Sequence, residues 1–171
     1  MSENSEKLTK EYYRYKDVEA FKIVINNPPQ PEWLQSRDLG GNKTAHYEPI
    51  EVKEALADRV FREWNVVDEK YMNVLNEIVC TVKIVALPDY PGADYITFTG
   101  SASKPVQCDS GSKVHEFPIG KKSNALEYCL PAVRSEAIGC ALETLGNLFG
   151  RNINRKVSND FGFDLKYKKD E

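Results

Sequence analysis

Hydrophobic spacing along the chain switches between the helical and the strand period, and the switches divide it into elements. A short apolar run, Ala20–Ile25, precedes a breaker at 26–31 (NNPPQP), whose prolines force an extended entry into the main domain. From Pro49 to Trp64 the residues Val52, Leu56, Val60 and Trp64 recur at helical steps with Phe61 beside them, which predicts a helix with proline at its start. Val66–Leu75 and Glu77–Leu87 then read as strands rich in Val, Ile and Tyr, with Asn76 at the turn. The PDYPGAD cluster at 88–94 is a loop, and Tyr95–Val106 is a third strand. Its residues Ile96, Phe98, Gly100 and Ala102 face one side, with Tyr95, Thr97, Thr99 and Ser101 on the other.

The longest amphipathic stretch is Leu126–Lys156. Leu130, Val133, Ala137, Ala141, Leu145 and Leu148 keep one helix face apolar, Pro131 is expected in the first turn, and Gly146 and Gly150 weaken or end the helix. A helix of this length must lie on something large and apolar. The order of elements therefore predicts an α+β domain. Its core is a three-stranded antiparallel β-meander (a β-β-β-α core) with a long helix packed across the sheet and a preceding shorter helix. Residues 1–26 form a mobile or docking N-terminal segment, 27–156 the core domain and 157–171 a C-terminal tail. In that tail Phe161, Phe163, Leu165 and Tyr167 alternate like a strand able to dock on a sheet edge.

Charge narrows the function. The chain has 171 residues and a net charge of −3, so no whole-protein field attracts a polyanion, and any such site must be local. Residues 31–120 hold fourteen acidic against nine basic residues, whereas 121–171 hold nine basic against seven acidic, which places the cations late in the chain. No run is long and apolar enough to span a bilayer, and the N-terminus has no apolar secretion signal, so a cytoplasmic protein without a membrane partner is expected. Cys80, Cys108, Cys129 and Cys140 lack CxxC spacing and read as buried reduced thiols.

Enzyme signatures are weak. His46 and His115 have no carboxylate or cysteine at metal-ligand spacing, and no nucleophile–base set appears. Gly41-Asn42-Lys43-Thr44 fails as a phosphate loop, because Asn42 and Arg37 occupy the places where glycine is needed. No cofactor is expected. Two constellations remain. In PEWLQSRDLGGNKTAHY, residues 31–47, Arg37 and Lys43 offer cations, Gly40-Gly41 lets backbone N–H groups approach an anion, and Tyr47 offers a ring for a base or sugar. An ordinary turn with a structural Arg–carboxylate pair explains the same residues. Arg151, Arg155 and Lys156 beyond the long helix, joined by Lys121 and Lys122 before it, form the second group; charge complementing the helix dipole is its alternative reading.

Taken in order, these residues resemble the single-strand annealing proteins of the Rad-fifty-two superfamily. The series starts with Pro31-Glu32-Trp33, Ser36-Arg37, Gly40-Gly41 and Tyr47, and passes through Val52, Leu56, Phe61 and Trp64. It closes with Leu130, Arg134, Glu136-Ala137 and the exit at Phe149-Gly150. Leu130-Pro131-Ala132 and residues 150–155 (GRNINR) are similar to the phage branch. The resemblance implies a homo-oligomer, ring or filament, that holds single-stranded DNA in an outer groove with bases exposed for pairing, without nucleotide hydrolysis or metal. Arg37 and Tyr47 match positions that contact the strand in that family. Where eukaryotic relatives place a Lys-Arg pair and a further Arg, this chain has Glu143, Thr144 and Asn147, leaving Arg151, Arg155 and Lys156 as candidate replacements. The expectation is ATP-independent annealing in phage-type recombination, in a host cytoplasm, with a single-strand binding protein or exonuclease as possible partner. The alternative is an oligomeric structural or interaction protein that keeps the fold without a nucleic-acid site.

Overall fold

Helix α1 (Val18–Asn26) begins where the Asp17 side chain accepts the Ala20 N–H at 2.8 Å, an N-cap that satisfies one of the helix's orphan donors. The computed structural model describes residues 12–41, 43–113 and 117–154. Pro28 and Pro29 keep the chain extended after α1, but Pro31, expected to be extended as well, instead opens a 3-10 turn, Pro31–Trp33, because its fixed φ also suits a first helical position; the turn leads into a small antiparallel hairpin, β1 (Gln35–Asp38) and β2 (Thr44–Tyr47). Helix α2 (Ile50–Val60) leads into β3 (Phe61–Val74), which pairs with β4 (Glu77–Pro88), which pairs with β5 (Ile96–Pro105). All pairings are antiparallel and the sheet order is β3-β4-β5, so the expected meander and α+β class are the observed ones. A single turn of helix, α3 (Phe117–Gly120), precedes the long α4 (Ala125–Glu143), which lies across β4 and β5.

The core is the layer between α4 and the sheet. Cys80, Val82, Ile84 and Ala86 of β4 are fully buried there, facing Ala125, Val133, Ala137, Ala141 and Leu142 of α4. The closest approach is at Gly100 of β5, where an added Cβ would stand 2.3 Å from both the Ala137 carbonyl oxygen and the Ala141 nitrogen. Small residues on both elements let the helix backbone rest directly on the strand. The opposite face of β5 is a row of hydroxyls, and Thr81 and Ser101 bond across the strands at 2.8 Å. One covered face and one wet face is what the alternation along Tyr95–Val106 predicts.

Three boundaries differ from the expectation. Helix α2 ends at Val60 instead of Trp64, and β3 starts five residues before Val66. Phe61 is 2 % exposed and stacks near Phe98 and Phe21, a burial of about 2–3 kcal/mol that only the extended backbone allows. Trp64 then points its indole N–H back to Asp58 at 2.7 Å. Second, Pro131 lies inside α4, not in its first turn, because Ala125 and Cys129 are buried and recruit the preceding residues into the helix. Glu127, whose carbonyl loses its partner to the proline ring, is exposed to water. Third, α4 stops at Glu143, with the Thr144 hydroxyl bonded to the Ala141 carbonyl at 2.7 Å, so Leu145 and Leu148 lie beyond the helix.

Within the N-terminal segment, Phe21 and Ile25 of α1 are buried, and Tyr15 donates its backbone N–H to the Asp89 carbonyl at 3.0 Å. Gly146 permits this docking, since a Cβ there would lie 2.1 Å from the Ile25 carbonyl oxygen. The tail at 157–171, with its alternating aromatics, lies outside the described residues.

Candidate nucleic-acid interface

Gly40 and Gly41 sit at φ 79° and 59°, the left-handed region that glycine enters without penalty, and they turn the hairpin. The turn is closed by Leu39 N–H to the Lys43 carbonyl at 2.8 Å and by the Asp38 carboxylate on the Gly40 N–H at 2.7 Å. Pairing of Gln35 with Tyr47 and of Arg37 with Ala45 puts all four residues on one face, with Arg37 diagonal to Tyr47. The Tyr47 hydroxyl donates to Gln35 Oε1 at 2.8 Å, which holds its half-exposed ring across the hairpin.

That face forms one wall of an open cleft of about 490 Å³, whose other walls are the start of α2 and the stretch Ser135–Glu143 of α4. Arg37 and Tyr47 both line it, so the two positions that the resemblance assigns to strand contact share one concave surface. Lys43 is at the hairpin turn, exposed and outside the lining. Arg151 is exposed beside the cleft, its guanidinium Nε donating to the Glu143 carbonyl at 3.0 Å and so closing the end of α4. Lys121 and Lys122 are exposed just before α4, whose start at Ala125 lies about 15 Å along the helix from Ser135, and are not brought to this site. Arg155 and Lys156 lie outside the described residues.

Two site residues escape the sequence reading. Lys53 of α2 is 5 % exposed and forms an ion pair with Glu143. The acidic residue at that position of α4 is therefore opposed by a buried cation from α2. The signal was present: Lys53, Ala57 and Val60 share a helix face at four- and three-residue steps, and that face is the buried one. Glu48 is 4 % exposed, and neither carboxyl oxygen has a hydrogen-bond partner. Burial pushes it up from 4.5 to about 7, with Lys53 opposing the rise and Glu143 adding to it. Glu136 is paired with Lys104 at 2.6 Å. The lining thus carries Arg37 and Lys53 against Glu48, Glu51, Glu136 and Glu143, a mixed surface and not a uniformly basic groove.

All four cysteines are free. Cys80 and Cys129 are buried as expected, Cys108 is half-buried, and Cys140 departs from the expectation by being exposed on the cleft wall, where the lining leaves α4 uncovered. His46 is exposed on the other hairpin face, its Nδ1 2.8 Å from the Ser36 hydroxyl, and His115 lies outside the described residues. Among the described residues no three His, Cys, Asp or Glu converge as a metal would require, and no helix is long and apolar enough to cross a membrane. No protein-family model and no curated protein matches the chain.

Proposed function

We propose that this protein binds single-stranded DNA and anneals complementary strands without ATP, as part of phage-type homologous recombination in a host cytoplasm. The observation that carries the reading is the placement of Arg37 and Tyr47 on one wall of a cleft beneath the long helix of a β-β-β-α domain. A guanidinium that forks onto phosphate oxygens, next to a ring that stacks a base or sugar, grips a strand while leaving base edges free. The chemistry asked of the protein is positioning. Assembly of copies into a ring or filament would line up successive clefts, and a single-strand binding protein or exonuclease is the class of partner that would supply the strand.

The test is titration of a fluorescent oligonucleotide at two salt concentrations together with a strand-pairing assay. Binding is expected to weaken steeply with salt, because each neutralised phosphate releases counterions. Arg37→Ala is expected to weaken binding roughly tenfold, the worth of one charged contact, and to leave folding unchanged because Arg37 is exposed. Absence of salt-dependent binding at low salt would sink the reading.

A second reading, an oligomeric interaction protein without a nucleic-acid site, is favoured by one observation: Lys53 is engaged by Glu143, and three more carboxyls line the same cleft. The two readings part at the oligonucleotide titration. Light scattering tests the assembly that both require.

A further inference from the structure

We propose that a second copy of this chain docks head to tail on the first, its Lys121-Lys122 pair seated against an acidic stripe on the outer side of α2, at the rim of the Arg37–Tyr47 cleft. The inference rests on the assembly that the proposed function requires, and it names the surfaces that make that assembly. Glu51, Glu54 and Asp58 follow one another at three- and four-residue steps, so they share one side of α2, opposite the buried Lys53, Leu56, Ala57 and Val60. Glu51 and Asp58 are exposed, Glu54 is half-buried, and Glu51 also lines the cleft. Asp58 accepts the Trp64 indole N–H, whereas no other described side chain engages Glu51 or Glu54. Arg59, the exposed cation of α2, stands about 100° round the helix from Asp58.

The complementary charge lies beyond the other end of α4. Lys121 and Lys122 are exposed, and no described side chain pairs with either. Their backbone is held in place: the Asp109 N–H donates to the Gly120 carbonyl at 2.8 Å and the Lys122 N–H to the Gln107 carbonyl at 3.1 Å. Flanking them in sequence, Ile119 is 91 % and Tyr128 61 % exposed, apolar area of the kind that centres an interface rimmed by charge. Helix α2 is seated on α4 at Gly139, where an added Cβ would stand 3.6 Å from Ile50, whereas the lysines precede Ala125, about 20 Å along the helix. The acidic and basic patches therefore cannot meet within one chain. Unlike patches at opposite ends make a heterologous contact, which closes into a ring or runs on as a filament. Each contact sets two lysines against the two unanswered carboxylates at the cleft rim. That lowers the surplus of negative charge near Arg37 and leaves the cleft itself open.

Charge reversal at each patch, followed by light scattering at low salt, tests the docking. Lys121→Glu/Lys122→Glu and Glu51→Lys/Glu54→Lys are each expected to weaken assembly by more than about a hundredfold and to run as monomers, because like charges then face one another. An equimolar mixture of the two variants is expected to assemble again, since every contact between unlike copies is once more opposite in charge. That rescue also shows that both variants are folded. Variants that keep the wild-type mass, or a mixture that stays monomeric, overturn the docking. Unchanged mass with weakened oligonucleotide binding in the lysine variant would assign the pair to the strand and overturn it too. A wild type that is monomeric at every concentration would overturn the assembly itself, an outcome distinct from an assembly that ignores the reversals.

Discussion

Replacing Glu48 by glutamine should make the protein more stable in alkaline solution, although it deletes a charge. Glu48 is buried with both carboxyl oxygens unpartnered, next to the Lys53–Glu143 pair and 3.6 Å from where a Gly150 Cβ would stand. In the folded chain it titrates at about 7, against 4.5 for an ordinary glutamate. Between those values the unfolded chain is ionised while the folded chain keeps its proton. The folded state then binds more protons than the unfolded one, so stability falls as pH rises. At about 1.4 kcal/mol per pH unit the loss reaches ~3 kcal/mol by neutrality and is constant above it. That is a large share of the roughly 5–15 kcal/mol that holds a domain together. Glutamine stays neutral throughout, so Glu48→Gln should match the wild type near pH 5 and exceed it by about 2–3 kcal/mol at pH 8. Urea unfolding followed by the fluorescence of Trp33 and Trp64 at pH 5, 6, 7 and 8 measures this. The difference between the two proteins cancels every other titrating group. A difference that stays flat with pH would show that Glu48 is ionised in the folded state and that the burial argument fails.

Two further substitutions probe the frame that carries the cleft. Gly100→Ala sets a methyl against the backbone of Ala137 and Ala141, which cannot rotate away, and should cost about 3 kcal/mol, lowering the thermal midpoint by roughly 10 °C; an unchanged midpoint would refute the direct seating of α4 on β5. Leu75 opens the two-residue turn between β3 and β4 at φ 56° and is 75 % exposed, so Leu75→Gly should raise stability by about 1 kcal/mol in thermal unfolding. A lower midpoint would show that the leucine makes a contact its exposure conceals.

The meander and the covering helix were legible because Tyr95–Val106 keeps a strict two-residue alternation and Val133, Ala137 and Ala141 keep a helical one. The β1–β2 hairpin was half legible: Gly40-Gly41 marked its turn, and the pairing that puts Arg37 and Tyr47 on one face follows from the turn's length. At the end of α2, tertiary burial overrode the local period. Val60, Phe61 and Trp64 fit a helix, but the chain turns to a strand with a β-bulge between Phe61 and Glu63, and Phe61 is buried in the aromatic cluster with Phe21 and Phe98. Glu48 and Lys53 stayed hidden for another reason. Charged residues are read as solvated faces, and only the meeting of α2 with α4 removes these two from water. The Asn154 contact with His46 joins segments 108 residues apart, and no local pattern announces it.

Glu48 also ties the proposed strand contact to acidity. Below neutrality its carboxyl is uncharged, and two of the remaining cleft carboxylates already face cations, Glu143 with Lys53 and Glu136 with Lys104. Above neutrality one more negative charge stands in the wall shared with Arg37. At an effective dielectric constant of about 20 and a separation of roughly 12 Å, its repulsion of a phosphate is about 1.4 kcal/mol, reduced by salt over a Debye length of about 8 Å. Screening removes more than half of that repulsion, so oligonucleotide affinity is expected to fall about two- to threefold, on the order of 0.5 kcal/mol, between pH 6 and pH 8. Glu48→Gln should remove most of that fall while leaving the salt slope intact, since the same phosphates stay neutralised. Fluorescence anisotropy of a labelled strand at both pH values, for both proteins, resolves the difference and cancels contributions common to the two. If the two proteins lose affinity in parallel, the strand does not run past Glu48, and the cleft is not the place where Arg37 works.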